Sequence, residues 1–228
     1  MEHVPLYSVY RSNRKTVRIT VRLNGTIAVY CPKRCSEKYL DELVLKHYEA
    51  LMENYNRNAP KLNKITNGQD SLPLLGKYYP IIRMEIPKPA FDEICFYIPR
   101  SFSDNQVRIW YQTLLRNKAK DLILPKVSYF AEKHSFKYNK ARIKAMYSRW
   151  GSCSAKSNLN FSLALVACDE RFIDYVILHE LCHTVHMNHS KCFYTLLNSV
   201  CPDHKSIYDS KNREYSLIMK AINCQAPL

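Results

Sequence analysis

Four residues carry an α-helix about 400° around and about 6 Å along its axis, so side chains four apart stand on the same face, one turn apart. His179 and His183 have that spacing, with Glu180, Leu181 and Cys182 between them. Two imidazoles placed this way can share one Zn²⁺. Glu180 lies beside them without being a ligand, where it can accept a proton from a water on the metal. The pattern therefore requires a helix at this point of the chain, and the chemistry it permits is metal-assisted hydrolysis.

The flanking residues agree with such a helix. Phe172, Ile173, Val176, Ile177 and Leu181 are apolar at helical spacing, Asp169 is placed to cap the N-terminus, and Glu170 lies in the first turn. Downstream, Asn188 is suited to the left-handed conformation that ends a helix, and Ser190 to capping the next one. That turn would bring His189 back towards the pair. His186 competes as third ligand because it shares their helical face. On a continuous helix, however, His179 and His186 are about 10 Å apart along the axis, whereas the ligands of one ion converge to Zn–N distances of about 2.1 Å. His189 is the preferred third ligand, giving a metal set of His179, His183 and His189 with Glu180 as catalytic carboxylate.

The 228 residues suffice for one large domain or two small lobes, and 46% hydrophobic content supports a real core. Residues 1–12 contain no apolar run like a signal peptide, and no stretch approaches the length of a membrane span. The nine cysteines form no pair of Cys-x-x-Cys knuckles, which argues against a four-cysteine zinc module. Scattered thiols of odd number point to a reducing, cytoplasmic location. Cys31-x-x-x-Cys35 carries little metal-binding signal of its own.

The net charge of +14 is unevenly placed. Residues 1–150 hold 27 basic and 13 acidic residues, whereas residues 151–228 hold seven of each. Between Arg116 and Arg149 there are ten basic and two acidic residues, with Tyr129, Phe130, Phe136, Tyr138 and Tyr147 interleaved. This segment is a candidate surface for nucleic acid or an acidic partner, against the plainer reading of a solvated basic helix face.

Along the chain, Val17, Ile19 and Val21 alternate with polar residues before Asn24-Gly25 and the run Ile27–Tyr30, the pattern of a β-hairpin. Ser36 is placed to cap a helix with Leu40, Leu43, Val44, His47, Tyr48 and Leu51 on one face. A loop is expected over residues 58–71, then strands within 72–86 and 93–98. A helical pattern runs from Asp104 past Leu124, where Pro125 is expected to kink or interrupt it, and a second piece reaches about His134. Strands over 142–147 and 159–165, joined through Trp150-Gly151-Ser152-Cys153, precede the metal helix. Helices over 190–200 and about 205–222 follow, separated at Pro202. The expected architecture is α+β: an N-terminal, mostly antiparallel β lobe with one helix over residues 1–103, and a catalytic lobe over 104–228.

Several segments together resemble the YgjP-like zinc metallopeptidases, a group similar to the SprT-like zincins. They are Arg149-Trp150-Gly151-Ser152-Cys153-Ser154, Asn158-Leu159-Asn160, Ile173 through His183, Asn188-His189-Ser190 with Phe193, and Pro202-Asp203. The resemblance is strong over roughly residues 140–205. It implies a zincin-type lobe in which a strand borders the metal cleft, with His179, His183 and His189 as ligands of one Zn²⁺ and Glu180 as the catalytic carboxylate. The spacing from His179 to His189 also matches the metzincins, but His186 occupies their glycine position and no convincing Met-turn follows.

The activity so implied is hydrolysis of peptide bonds in a protein or peptide substrate. A tetrahedral oxyanion needs a donor besides the metal, for which Tyr194, Arg149 and the backbone of Trp150 to Ser152 are candidates. Trp150, Ser152 and Tyr194 are the candidate substrate-binding side chains, although Trp150 and Tyr194 suit core packing equally well. Asp174 and Asp203 are candidates to orient the ligand imidazoles. A free strand edge within 159–165 would hold an extended peptide by main-chain pairing. Two other readings are a nucleic-acid-associated protein with a structural zinc site, and a protease recruited to nucleic acid through Arg116–Arg149, as the SprT resemblance suggests. A structural site normally closes four protein ligands around the ion, whereas three histidines leave a position open.

Overall fold

The structure, a computed structural model, describes residues 4–21, 26–66, 71–146 and 148–223. It is an α+β chain whose described residues part into two compact units, those up to residue 63 and those from residue 64 on. Residues 71–99, grouped above with the N-terminal lobe, are contained in the second unit.

In the first unit, β2 (Arg18–Val21) and β3 (Ile27–Pro32) pair antiparallel, Ile19 opposite Val29 and Val21 opposite Ile27. This is the expected pairing; its Asn24-Gly25 connection lies outside the described residues. A strand the local pattern did not announce, β1 (Tyr7–Ser12), pairs parallel on the other side of β3, so the sheet is mixed. Strand alternation turns Ile27, Val29 and Cys31 to one face, where Leu40 and Val44 of α1 (Glu37–Thr66) cover them. Cys31 is therefore a core residue. Tyr7 donates its hydroxyl hydrogen to Asp41 of the helix at 2.5 Å. His47, expected on the buried face, is exposed. The helix also runs through the expected loop as far as Thr66, Pro60 included. Once a helix is nucleated, each further residue gains one hydrogen bond for the one residue it fixes.

In the second unit a four-stranded mixed sheet has the order β4 (Ser71–Leu74), β5 (Lys77–Met84), β7 (Phe96–Pro99), β6 (Ala90–Phe91). Phe96 packs edge-on against Trp110 and Tyr111 of α2 (Asp104–Lys133), and the Tyr111 hydroxyl donates to the Pro73 carbonyl. Ser103 and Gln106 close a reciprocal capping box at the start of α2.

Pro125 does not interrupt this helix, which runs unbroken for 30 residues. The buried positions explain why. They are Val107, Tyr111, Leu115, Ala119, Ile123, Val127 and Ala131, four apart throughout. Each step of four overshoots a full turn by about 40°, so the buried stripe winds around the helix by about 240° in all. Successive partners cover it: the 3₁₀ turn Leu163–Ala167, α3 (Glu170–Cys182), α5 (His204–Asn223) and β8 (Lys140–Lys144). Burial on both sides of Pro125 outweighs the one hydrogen bond that a proline removes. Pro125 itself is exposed, where its ring needs no partner.

A third sheet has the order β8, β10 (Asn158–Ser162), β9 (Gly151–Cys153), with β8 parallel and β9 antiparallel to β10. The segment expected to offer a free edge is thus the central strand, paired on both sides, and it passes into the 3₁₀ turn after Ser162. The edge beside α3 is β9, read from sequence only as a connection. Then come α3, α4 (Lys191–Val200) and α5. Every described cysteine is a free thiol. No helix among the described residues is long and apolar enough to cross a membrane.

Asp169 fixes where α3 begins. Its Oδ1 accepts from the Phe172 amide at 2.9 Å and its Oδ2 from the Tyr215 hydroxyl of α5 at 2.7 Å. The tip of the β4–β5 hairpin, Leu75-Gly76, has positive φ at both residues and donates its amides to the carbonyls of Val166 and Ala167. A Cβ on Gly76, at φ 75°, would lie 2.7 Å from Asp169 Cβ and 2.9 Å from its Cα. Neither atom can withdraw without moving the cap. Gly76→Ala is expected to destabilise the protein by about 2–4 kcal/mol, from left-handed strain plus overpacking, read as a lowered denaturation midpoint.

Candidate metal centre

Helix α3 carries its polar residues into the core. Phe172, Ile173, Val176, Ile177, Leu178, Leu181 and Cys182 are all buried, and so are Glu180 and His183. The helix ends at Cys182 with His183 as its C-cap. A tight turn follows, in which the amides of Val185 and His186 both reach the Cys182 carbonyl. Asn188, expected to end the helix in a left-handed conformation, is not among the residues with positive φ; the carbonyl-sharing turn ends the helix six residues earlier. Ser190 does cap α4, accepting from the Phe193 amide.

This turn brings His189 back onto the pair. The ring nitrogens of His179, His183 and His189 offer three donor atoms that all lie within 4.8 Å of one another, and this group could hold a metal ion. The Nε2 atoms of His179 and His189 are 3.1 Å apart. Two imidazole nitrogens bound to one tetrahedral Zn²⁺ at about 2.1 Å would be about 3.4 Å apart, so the donor set fits such an ion. Phe193 is fully buried beneath all three rings, with centroids 5.0, 4.5 and 4.8 Å away in chain order. Tyr175, one turn before His179, packs edge-on against it.

His186 contributes its backbone rather than its ring. Its carbonyl oxygen is 3.0 Å from His183 Nδ1. A neutral imidazole so placed donates Nδ1–H to the carbonyl and keeps the Nε2 lone pair for the cluster. Asp174 and Asp203, the carboxylates expected to orient the imidazoles, are engaged elsewhere. Asp174 is held by Lys126 at 2.8 Å, and Asp203 by Arg171.

Burial, and then repulsion from His183, His189 and His204, pushes the His179 pKa down to about 3. His183 is lowered as well, first by burial. Both rings are thus neutral at ordinary pH, the form that binds metal. Glu180 is shifted the other way, up to about 8, because burial disfavours its charge, with Arg149 acting in opposition. Its Oε2 and the Nδ1 of His179 are buried without a hydrogen-bond partner.

Sequence reasoning named Gly151 in the family-like segment and within the Trp150–Ser152 backbone, but not as the seat of Glu180. One helical step from His179 turns the Glu180 side chain by about 100°, and it packs directly onto the β9 backbone. A Cβ on Gly151 would lie 2.4 Å from Glu180 Cγ and 2.6 Å from its Oε1. Only a glycine leaves the carboxylate its place. The chain has four glycines, and the scarcity of the residue was the available signal.

Of the other candidates, Trp150 is buried, packs edge-on against Phe172 and reaches Asn212 Oδ1 through its indole nitrogen at 3.4 Å. The Ser152 hydroxyl accepts from Asn160 Nδ2 at 3.2 Å. Tyr194 is exposed, its ring 6.1 Å from that of His189 and stacked with His204. Arg149 is exposed.

The raised Glu180 pKa has a measurable consequence. A carboxyl whose folded pKa exceeds its unfolded value binds more protons when folded, so its contribution to stability falls as pH rises from about 4.5 to about 8. The lowered pKa of His179 acts only between about 3 and 6.5. In metal-free protein, stability is therefore expected to drop by about 2 kcal/mol from pH 6.5 to 8. Chemical denaturation in the presence of a chelator checks this, and Glu180→Gln should remove the slope.

The family model of the YgjP-like metallopeptidase domain matches residues 15–213. No curated protein matches the chain. Among solved structures, the metallopeptidase zymogen of Pyrococcus abyssi, abylysin, aligns at 20% identity, covering 39% of this chain and 90% of its own, with a TM-score of 0.36. The family match spans most of the described residues, from β2 to α5, and includes the histidine cluster, Glu180 and Gly151. This chain belongs to the YgjP-like metallopeptidase family.

Proposed function

We propose that this metallopeptidase holds one Zn²⁺ through His179, His183 and His189 and hydrolyses peptide bonds with Glu180 as the proton-transferring group. The observation that carries this reading is the convergence of three imidazoles beside a buried carboxylate seated on a glycine. When bound, the ion supplies Lewis-acid polarisation of the scissile carbonyl and acidifies a water molecule.

The protein's own groups do the rest. Near a cation Glu180 favours its charged form, so it accepts a proton from the attacking water and passes it to the leaving amine. Gly151 keeps the carboxylate in position for both transfers. The His186 carbonyl fixes the tautomer of His183, and Phe193 holds the three rings in mutual register. Strand β9, at the sheet edge that Glu180 touches, is available for main-chain pairing with an extended peptide. That geometry favours unfolded or flexible protein segments as substrates. Tyr194, exposed beside His189, is the side chain we assign to meet the oxyanion.

Two measurements test the reading. On a denatured protein with zinc supplied, Glu180→Gln is expected to cleave at least about a thousandfold more slowly than wild type, and Gly151→Ala at least about a hundredfold more slowly. Cleavage by the glutamine variant at the wild-type rate would remove Glu180 from the mechanism. Elemental analysis should find about one zinc per chain in wild type and in His186→Ala, but a large loss in His189→Ala. The reverse pattern would make His186 the third ligand.

A further inference from the structure

The chain from Lys133 to Cys168 contains seven basic residues and no acidic one. It builds the β8–β10–β9 sheet. The apolar side of that sheet, with Leu159 and Phe161 fully buried, packs on the helices, and alternation turns the neighbouring residues outward. On β8 the outward residues are Lys140, Arg142 and Lys144, all exposed. Opposite Lys140 and Arg142 on β10 stand Asn158 and Asn160, and opposite Asn160 on β9 stands Ser152. The outer face is thus a continuous polar surface from the β9 edge to a row of cations spaced about 7 Å apart.

The structure separates these cations from the rest of the basic segment. Lys126 is neutralised by Glu170 at 2.7 Å and Asp174 at 2.8 Å, and the Lys133 ammonium lies over the Tyr129 ring. Lys140, Arg142 and Lys144 have no acidic partner among the described residues. Three adjacent like charges repel one another, and no acidic group among the described residues compensates them.

We propose that this face binds an acidic stretch of the polypeptide substrate and so selects protein segments with acidic residues near the cleavage point. The inference rests on the peptidase reading above. Charge complementarity fixes the sign of the occupant, and continuity with β9 favours the chain that the adjacent catalytic edge would hold. Extended peptides present alternate side chains on one side at about 7 Å intervals, which matches the row on β8. Nucleic acid fits less well. The only aromatic residue in these three strands is the buried Phe161, so the strands themselves offer no ring on which a base could stack. From a peptide paired on the β9 edge to β8 is three strand spacings, about 14 Å, so the acidic residues lie at least about four residues from the scissile bond.

The test uses two fluorogenic peptides with the same cleavable core, one extended by Asp and Glu residues and the other by Ser. At low salt the acidic peptide is expected to show a KM at least about tenfold lower at similar kcat, with the advantage shrinking as salt rises. In the triple variant Lys140→Ser, Arg142→Ser, Lys144→Ser the advantage should vanish while the serine peptide is cleaved as by wild type. Equal KM values for the two peptides in wild type, or a preference that survives in the triple variant, would overturn the proposal. Binding is read separately, by fluorescence anisotropy of the acidic peptide on Glu180→Gln protein, expected to be lost with the three cations. If neither peptide is cleaved yet this binding is found, the peptidase reading fails and the cationic docking face for acidic segments stands. If a labelled oligonucleotide binds through the three cations and the acidic peptide does not, the surface belongs to nucleic acid and the proposal is wrong.

Discussion

The position of the site depends on how helix α3 enters the core, and Asp169 decides that. One carboxylate accepts the first-turn amide of Phe172 and the hydroxyl of Tyr215, while the hairpin tip at Gly76 presses against its Cα and Cβ. A helix has no freedom to rotate once its first turn is fixed, because every later side chain follows at about 100° per residue. Ten residues on, that phase turns His179 and His183 towards α4 and Glu180 towards β9. A cap is usually worth about 1 kcal/mol of helix stability. Here it also determines which side chains meet at the site.

The polar residues that α3 carries inwards are expensive to bury. Burial pushes His179 and Glu180 each towards its neutral form, and each keeps a buried polar atom without a partner. Unpaired groups of this kind work against folding, by about 1–3 kcal/mol each. The surrounding packing offsets that cost: Phe193 under the three imidazoles, Trp150 against Phe172, and the long α2 whose winding stripe contacts one element after another. A cluster whose three imidazoles could hold a cation is thus kept in place by the packing around it, at a cost in stability.

Much of this was legible along the chain. The hairpin of the first unit, the caps at Ser36, Asp169 and Ser190, and the HExxH helix itself are local patterns, set by hydrogen bonds and side-chain periods within a few residues. The preference for His189 over His186 followed from helical rise and from the helix-ending turn expected before Ser190, with the resemblance pointing the same way, and the structure brings the His189 ring into the cluster. Less legible were features made by contacts distant in sequence. Strand β1 pairs with β3 although nothing in its own alternation announces a strand. Helix α2 passes through Pro125 because its burial comes from four separate elements. The β9 edge was hidden inside what reads as a connection, since a three-residue strand has no period to display.

The sequence by itself determined the chemistry available: two histidines one helical turn apart, a carboxylate between them, a third histidine beyond a turn, and an excess of positive charge outside the C-terminal third. These follow from residue identity and short-range geometry. Tertiary structure decided how that chemistry is arranged. It set Glu180 on Gly151, gave His183 the carbonyl of His186, moved Asp174 and Asp203 into ion pairs, and sorted the basic residues into neutralised ones and an uncompensated row on β8. Each of those outcomes depends on which backbone comes to lie against a side chain. That is fixed only when helices and strands far apart in sequence pack against one another.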